Sequence, residues 1–314
     1  MSLHRLHEDR RRRAGRRARR EVSVRLYPFD LVEPDTLAAA LDALARLDGE
    51  TRLVAGGTAL VPMIRLGLVK PDRVISLHRL PELAEVRRDG GTLQLGAMAR
   101  LADIYTASTV REGWPLLAEA ARRVATPAIR VSGTIGGNLC YAEAASDPAP
   151  ALLCLEAEVR VAGAAGGRTV PVVDFFRGFY ETALAPGEIV TAIRVPATPA
   201  GARSGYVKFT SRSAEDRPLV GVAALVVRDS SGRWDDVRIG LGGVAPTPIR
   251  APRAEAVLRG EAPGDATLRA AAEAAAREAE PLSDLMGSAD YRREMIRVWV
   301  RRLLTSLRDG ARSA

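Results

Sequence analysis

Hydrophobic residues recur at helical spacing near the start of the chain, and short apolar runs follow them. The segment "DTLAAALDALARL" places Leu37, Leu41, Leu44 and Leu47 on one face, which predicts a helix. "TRLVAGG" and "DRVISL" predict short buried strands, and "TALVPMIRLGL" between them predicts a helix that begins at Thr58. Because strands and helices alternate here, we expect a small parallel sheet.

From Gly91 onward the order of the elements changes. "GTLQLGAMARLADI" predicts a strand and then a helix, and "PLLAEAARRVA" predicts a second helix. "EAEVRVAG" and "GRTVPVVDFF" predict a hairpin, because two strand-like runs flank a glycine-rich turn. "EIVTAIRVP" predicts another strand, and "ATPAGARSG", Ala197 to Gly205, is the best candidate for a linker.

Three strand-like runs follow this linker, in "YVKFTS", "LVGVAALVVR" and "DVRIGLGG". Two predicted helices come next: Asp265 to Ala279 is rich in alanine, and Ser288 to Leu307 carries an apolar face. That face comprises Tyr291, Met295, Val298, Trp299, Leu303 and Leu307. Residues 205–310 are therefore predicted to form a small α+β domain in which a three-stranded antiparallel sheet packs against helices.

The net charge of +8 is concentrated at the N-terminus. Residues 1–20 hold nine arginines and two acidic residues, so the rest of the chain is nearly neutral. Such a run is typical of a disordered, solvated segment, and we assign residues 1–21 to a basic leader. An export signal is disfavoured because no apolar segment of the needed length follows the arginines. We expect no contact with nucleic acid and no transmembrane segment.

Cysteine and histidine are too few for several kinds of catalytic or metal centre. Cys140 and Cys154 cannot hold an iron–sulfur cluster, which typically needs four thiolates, and they give no disulfide framework. His78 is the only histidine outside the leader, which argues against a zinc site and against Ser-His-Asp catalysis. We therefore expect reduced thiols, a cytoplasmic location, no metal site, no catalytic side chain, and chemistry that depends on a cofactor.

Two Gly-Gly steps are candidate binding loops. Gly56 and Gly57 lie between a predicted strand end and a predicted helix start, where backbone N–H groups are unpaired. Glycine lets a phosphate approach the main chain, and Thr58 could cap the helix or donate its hydroxyl. Gly136 and Gly137 in "TIGGN" provide a second flexible turn. Either step could instead be an ordinary structural turn, and neither matches a GxGxxG fingerprint or a Walker loop.

Asp147 precedes Pro148 and an apolar run, which is a standard way to begin a helix. The pattern predicts that Asp147 caps this helix, and the same carboxylate could also contact a ligand. Lys208 is one of only two lysines in the chain, the other being Lys70, so its retention could reflect either chance or function.

Four segments together resemble the FAD-binding medium subunit of molybdenum hydroxylases, a family that includes aerobic carbon monoxide dehydrogenase and xanthine dehydrogenase. They are "AGGTAL", "TIGGNLC", "SDPAPALL" and "FFRGFYETALAPGEIVTAIRVP", in the family's order. The resemblance runs from about Val22 to the C-terminus. It implies an α+β fold in which a two-lobed FAD-binding domain of the vanillyl-alcohol-oxidase type, residues 22–199 with lobes divided near residue 90, precedes the family's C-terminal domain, residues 205–310.

The resemblance also implies an FAD site. In relatives, both glycine loops hold the FAD pyrophosphate between the lobes. Asp147 matches an acidic residue near the flavin, and Leu184 matches an apolar residue that contacts it. Lys208 matches a lysine beside the cofactor, although an exposed strand lysine stays the alternative. The positions carried over are Leu53, Val54, Ala55, Gly56, Gly57, Thr58, Ala59, Leu60, Thr134, Ile135, Gly136, Gly137, Asn138, Asp147, Leu184 and Lys208. We expect noncovalent FAD, because His78 lies outside these motifs and Cys140 has no matching role.

Two features depart from members of the family. Some carbon monoxide dehydrogenase-like members carry an aromatic residue directly after the aspartate that corresponds to Asp216, whereas this chain has Arg217. How the chain shields the flavin face is therefore an open question. The cysteine-bearing insertion of the hydroxybenzoyl-CoA reductase branch is absent, which disfavours that branch.

The resemblance implies an electron-transfer flavoprotein subunit of an oxidoreductase. A large partner subunit would carry the molybdopterin cofactor, and a small partner subunit would carry two [2Fe–2S] clusters. FAD on this chain would collect electrons and pass them to an external acceptor, within a dimer of heterotrimers. Two alternatives stay open: a stand-alone FAD-dependent oxidase, and a nonenzymatic flavin-binding maturation or interaction partner.

Overall fold

The structure is a computed structural model that describes residues 27–46 and 49–310. The basic leader and Leu47, the last leucine of the first predicted helix, lie outside the described residues. The described residues form two lobes followed by a C-terminal α+β unit.

A three-stranded parallel sheet in the order β1-β3-β2 forms the first lobe, which confirms the predicted parallel sheet. Its elements are β1 (Asp30–Val32), α1 (Leu37–Ala45), β2 (Thr51–Val54), α2 (Leu60–Arg65) and β3 (Arg73–Ser76). Helix α1 begins at Leu37 because the Thr36 side chain accepts a hydrogen bond from the Ala39 N–H. Helix α2 begins two residues after Thr58, because Gly57 has a φ of +70° and a turn precedes the helix.

A five-stranded antiparallel sheet in the order β4-β5-β10-β6-β7 forms the second lobe. After a 3₁₀ turn at Pro81–Leu83, its elements are β4 (Val86–Asp89), β5 (Thr92–Gly96), α3 (Leu101–Thr106), α4 (Ser108–Gly113), α5 (Pro115–Arg122), α6 (Pro127–Ser132), α7 (Ile135–Tyr141), α8 (Pro148–Cys154), β6 (Glu158–Gly163), β7 (Gly166–Pro171), α9 (Val172–Phe175), β8 (Phe176–Gly178), β9 (Glu181–Thr182) and β10 (Ile189–Val195). The predicted hairpin is confirmed as β6–β7, in which Gly163 pairs with Gly166.

Helix α8 joins the second lobe to the C-terminal unit. All seven of its residues are buried, between helix α5 on one side and the C-terminal sheet on the other. The approach to the sheet is close: a Cβ on Gly240 would lie 2.3 Å from the Pro150 carbonyl oxygen. Asp147, directly before α8, is therefore held at the boundary between the two units.

The C-terminal sheet has four strands in the order β11-β12-β13-β14, all antiparallel. The elements are β11 (Arg203–Phe209), β12 (Val220–Arg228), β13 (Trp234–Gly242), β14 (Ile249–Arg250), α10 (Pro252–Leu258), α11 (Asp265–Glu278) and α12 (Ala289–Asp309). The prediction of three strands was wrong, because β14 is only two residues long and too short to show a period-2 pattern.

The apolar face predicted for the last helix was wrong in part. Ile296, Val300 and Leu304 are buried in the core of the C-terminal unit, whereas Tyr291 is 43% exposed. The predicted apolar face lies to one side of the face that packs into the core. Of its residues, only Leu303 and Leu307 are buried in that core. Within residues 27–46 and 49–310, no helix is both long and apolar enough to cross a membrane.

Candidate functional site

The two glycine loops lie together at a cavity of about 490 Å³, formed between the first and second lobes. Its lining is mostly apolar, and its size is within the range usual for cofactor pockets. Thirteen of the predicted site residues line it: Leu53, Val54, Ala55, Gly56, Gly57, Thr58, Ala59, Leu60, Thr134, Gly136, Gly137, Asn138 and Leu184. Ile135 is fully buried in the core beneath the second loop and does not line the cavity.

Close backbone contacts explain two of the four glycines. A Cβ on Gly56 would lie 1.9 Å from the carbonyl oxygen of Ser132, which precedes the second loop. A Cβ on Gly136 would lie 2.6 Å from the carbonyl oxygen of Ala97. Both contacts are with main chain, which cannot move as a side chain can, so only glycine fits. The first loop therefore packs on the main chain just before the second loop, and the second loop packs on the main chain that follows β5.

The first loop has unused hydrogen-bond donors. Among the described residues, no group accepts a hydrogen bond from the backbone N–H groups of residues 55–59, and none pairs with the Thr58 hydroxyl. Gly57, with its φ of +70°, has a conformation that favours glycine. Consecutive free N–H groups in such a turn are suited to an anion such as a phosphate.

The second loop uses its N–H groups internally. The N–H of Ile135 donates to the Ala99 carbonyl at 3.0 Å, and that of Gly136 donates to the Ala97 carbonyl at 2.9 Å. The Gly137 N–H donates to Thr134 Oγ1 at 3.1 Å, so Thr134 caps helix α7. The prediction of a flexible turn here was wrong, because these glycines lie in the first turn of a helix and neither has a positive φ.

An aromatic pair lines the cavity near the other end of α7. The ring centroids of Tyr141 and Tyr180 are 5.1 Å apart, with the rings tilted by 54°. The Tyr180 hydroxyl donates to Glu143 Oε2 at 3.0 Å, and Arg217 also pairs with Glu143. Sequence reasoning missed the two tyrosines and Glu143. Their positions in "NLCYAE" and "GFYETAL", which adjoin predicted site segments, were the available signal.

Asp147 and Lys208 form a buried ion pair that does not line this cavity. Lys208 Nζ lies 3.1 Å from Asp147 Oδ2 and donates to the Arg123 carbonyl at 2.7 Å. The Tyr206 hydroxyl donates to Asp147 Oδ1 at 2.7 Å. Burial raises the pKa of Asp147 from 3.8 to about 6, while Lys208 and the hydrogen bond from Tyr206 act in the opposite direction.

These contacts change two of the predictions. Asp147 occupies the position before α8, but its side chain makes no capping hydrogen bond, so the predicted capping role was wrong. The Lys208 side chain is 3% exposed, so the exposed-strand alternative was also wrong. The role of both residues as cofactor contacts stays a prediction.

Two family models match the chain. The model described as "FAD binding domain in molybdopterin dehydrogenase" matches residues 27–198, and "CO dehydrogenase flavoprotein C-terminal domain" matches residues 205–307. The chain belongs to the family of FAD-binding medium subunits of molybdenum hydroxylases. The two-lobed FAD-binding fold implied by the resemblance is thereby confirmed.

Relatives in this family are similar along almost their whole length. The carbon monoxide dehydrogenase medium chain of Hydrogenophaga pseudoflava is 36% identical over 88% of this chain and 96% of its own. The 6-hydroxypseudooxynicotine dehydrogenase complex subunit alpha of Paenarthrobacter nicotinovorans is 34% identical over 90% of this chain and 96% of its own. A solved carbon monoxide dehydrogenase structure from Hydrogenophaga pseudoflava superposes with a TM-score of 0.87 at 37% identity, covering 90% of this chain and 98% of the other.

The cavity fits the cofactor of this family. A pyrophosphate requires several donors and a main chain that it can approach closely, and residues 55–59 provide both. A planar flavin requires apolar and aromatic walls, which Leu184, Tyr141 and Tyr180 supply. His78 is mostly exposed, lies 3.5 Å from Glu33 and does not line the cavity, whereas Cys140 does.

Proposed function

We propose that this chain is the electron-transfer flavoprotein subunit of a multi-subunit molybdenum hydroxylase. It would receive electrons from [2Fe–2S] clusters of a small partner subunit and pass them to an external acceptor. The observation that carries the proposal is the row of backbone N–H groups at residues 55–59 that have no acceptor among residues 27–46 and 49–310, directly beside an apolar cavity of cofactor size. Membership of the family supports it independently.

The first loop would bind the pyrophosphate of FAD. Residues 55–59 offer backbone donors that have no partner in the described part of the chain, and Thr58 offers a hydroxyl. Binding would replace water around these groups with charged oxygen acceptors, which make the stronger kind of hydrogen bond. The second loop would contribute shape, because its own donors are already paired and its glycines leave room for the ligand.

The apolar lining would orient the ring system and exclude water from it. The segment around β10 contributes Leu184, Ile189 and Val190, and Tyr141 is the last residue of α7. Bound FAD supplies the capacity to accept two electrons and to release them singly or in pairs. The chain itself has no need of an acid or base at the ring for this task, and its contribution is to hold the cofactor in a fixed environment.

Partner subunits complete the proposed complex. One relative is a medium chain, and another is a subunit of a dehydrogenase complex. The solved carbon monoxide dehydrogenase is a form that lacks the Mo-pyranopterin moiety of its molybdenum cofactor. We propose that a large subunit carries the molybdopterin cofactor and that two heterotrimers pair. Both cysteines are free, which agrees with the proposed cytoplasmic location.

The proposal is tested by comparing the isolated chain with the chain co-expressed with its molybdenum and iron–sulfur partners. We expect the isolated chain to bind one FAD, to release it on denaturation, and to show no substrate-driven flavin reduction. The complex should bleach its flavin when substrate is added anaerobically. Flavin that stays attached to the denatured chain would contradict noncovalent binding. Reduction of the isolated chain by substrate, at the rate of the complex, would support a stand-alone oxidase instead.

A further inference from the structure

Tyr180 has an unusual backbone conformation at the edge of the cavity. Its φ is +56°, in the left-handed region that residues with a side chain rarely adopt. Such a conformation persists only where surrounding contacts hold it in place. Burial is not sufficient here, because Tyr180 is 54% exposed. The pairing of Gly178 with Glu181 places Tyr180 in a two-residue turn between β8 and β9, which accounts for the positive φ, and the side-chain contacts of Tyr180 fix where its ring lies.

Two contacts hold Tyr180 in place. Its ring lies 5.1 Å from that of Tyr141, centroid to centroid, in a tilted arrangement that is favourable for aromatic pairs. Its hydroxyl donates to Glu143 Oε2 at 3.0 Å. Burial and the neighbouring Glu143 carboxylate both raise the pKa of Tyr180, so that the hydroxyl keeps its proton and stays a donor.

Glu143 is in turn paired with a residue of the C-terminal unit. Arg217 lies between β11 and β12, and its guanidinium contacts the same oxygen, Glu143 Oε2, that accepts the Tyr180 hydroxyl. The Glu143 side chain is 16% exposed, whereas that of Arg217 is 69% exposed. Arg217 does not line the cavity, so it reaches the cavity wall only through Glu143 and Tyr180.

The length of α7 relates this wall to the glycine loops. The helix runs from Ile135 in the second loop to Tyr141, a distance of about 9 Å at about 1.5 Å per residue. A ligand anchored by its phosphates at the loops would therefore extend toward the Tyr141–Tyr180 pair. Both the loops and the two rings line the same cavity.

We propose that Arg217 is a positioning residue for the flavin end of the cavity: through Glu143 it holds Tyr180 beside Tyr141, and the two rings form the wall against which the flavin lies. The inference rests on the proposed function. It means that Arg217, a residue of the C-terminal unit, shapes the cofactor site without lining it. The same arrangement explains how this chain shields the flavin although it has Arg217 at the position where some family members carry an aromatic residue.

The fluorescence of bound FAD tests this arrangement, because a tyrosine ring in contact with a flavin quenches its emission by electron transfer. We expect Arg217→Ala to bind FAD about three-fold more weakly, as suits an exposed ion pair, and to fluoresce more strongly per bound flavin. Arg217→Lys, which keeps the charge, should restore much of the quenching. Arg212→Ala is the matched control, since it removes another exposed arginine of the same segment, one that pairs with Asp216 and not with Glu143, and it should behave like the wild type.

A double-variant cycle shows whether Arg217 acts through Tyr180. Adding Arg217→Ala to Tyr180→Phe should change neither fluorescence nor affinity further, because the hydroxyl that Glu143 holds is already absent. Arg217→Ala with the quenching and affinity of Arg212→Ala, or fully additive effects in the double variant, would overturn the inference while leaving the proposed function intact. A wild-type chain that binds no FAD would overturn both.

Discussion

Within the part of the chain that the structure describes, the backbone N–H groups of the first glycine loop, residues 55–59, have no acceptor, whereas the second loop, residues 134–138, engages Ile135, Gly136 and Gly137 in hydrogen bonds within the protein. Both loops contain a Gly-Gly step, and both line the same cavity. A motif that occurs twice in one chain therefore need not have the same role twice. One loop can supply donors to the ligand, while the other supplies a rigid helix start and room for close approach.

The largest effect is expected from Gly56→Ala. Its new methyl group would overlap the Ser132 carbonyl oxygen at 1.9 Å, so the loops would have to separate. We expect the free energy of unfolding to fall by about 3 kcal/mol and FAD binding to be lost. Chemical denaturation and flavin content measure the two effects. Gly113→Ala is the control, because a Cβ there meets nothing within 4 Å, and it should change stability by less than about 0.5 kcal/mol.

Gly57 and Gly137 distinguish the two loops more finely. Gly57→Val should abolish FAD binding because valine resists the positive φ, and Gly137→Val should abolish it because its side chain fills the space beside Ala55. Asparagine tolerates a left-handed backbone but still adds a side chain, so it distinguishes the effect of the positive φ at Gly57 from the effect of filled space at Gly137. We expect Gly57→Asn to retain measurable FAD binding and Gly137→Asn to lose it, as determined by fluorescence titration. The reverse order would contradict the roles assigned to the loops.

A substitution of Asp147 tests whether the cofactor site extends beyond the cavity, because Asp147 does not line the cavity. Its raised pKa means that between about pH 4 and 6 the folded state binds more protons than the unfolded state, so this residue's contribution to stability falls as pH rises. A rise from 3.8 to about 6 corresponds to about 3 kcal/mol. The difference in unfolding free energy between wild type and Asp147→Asn should fall through this window and be flat above it.

The same variant also tests the cofactor contact that the family resemblance implies for Asp147. Asp147→Asn should change FAD affinity less than either glycine-to-valine substitution, because the carboxylate is held by Tyr206 and Lys208 rather than facing the cavity. A more than ten-fold loss of affinity without loss of stability would show that the carboxylate acts on the cofactor. A flat pH difference curve would show that its pKa is not raised.

The smallest effects are expected from the two threonines of the loops. Thr134→Val removes the cap of α7, which should lower stability by about 1 kcal/mol. Thr58→Val removes a hydroxyl without a partner among the described residues, so it should weaken FAD binding by about ten-fold while leaving stability unchanged. Thermal unfolding measures the stability of both variants, and FAD titration measures their affinity. Two variants with equal losses of stability and equal losses of FAD affinity would contradict the different roles of the two loops.

Local patterns in the sequence were sufficient to predict several elements of the fold. The parallel sheet and the β6–β7 hairpin were predicted because their alternating runs and turns are local features. Strand β14 was not, since two residues carry no pattern and its pairing with β13 is tertiary. The face of α12 was misplaced because Tyr291 and Met295 are apolar by type, whereas packing against the sheet selected Ile296, Val300 and Leu304.

The glycine loops were identified from the sequence, but not the difference between them. That difference depends on whether a carbonyl such as that of Ala97 or Ala99 lies within reach, which is decided by the approach of β5 to α7. The same limit applies to Tyr180, Glu143 and Arg217, which are far apart in sequence and meet only in the fold. Lys208 was singled out because lysine is scarce, yet only the structure shows its partner.

A crystal structure of the chain with bound FAD tests the central claim most directly. We predict pyrophosphate oxygens within about 3.2 Å of backbone nitrogens of residues 55–59, with the hydrogen bonds from Ile135, Gly136 and Gly137 to Ala99, Ala97 and Thr134 unchanged. Pyrophosphate held chiefly by the N–H groups of the second loop, or bound outside this cavity, would contradict the account.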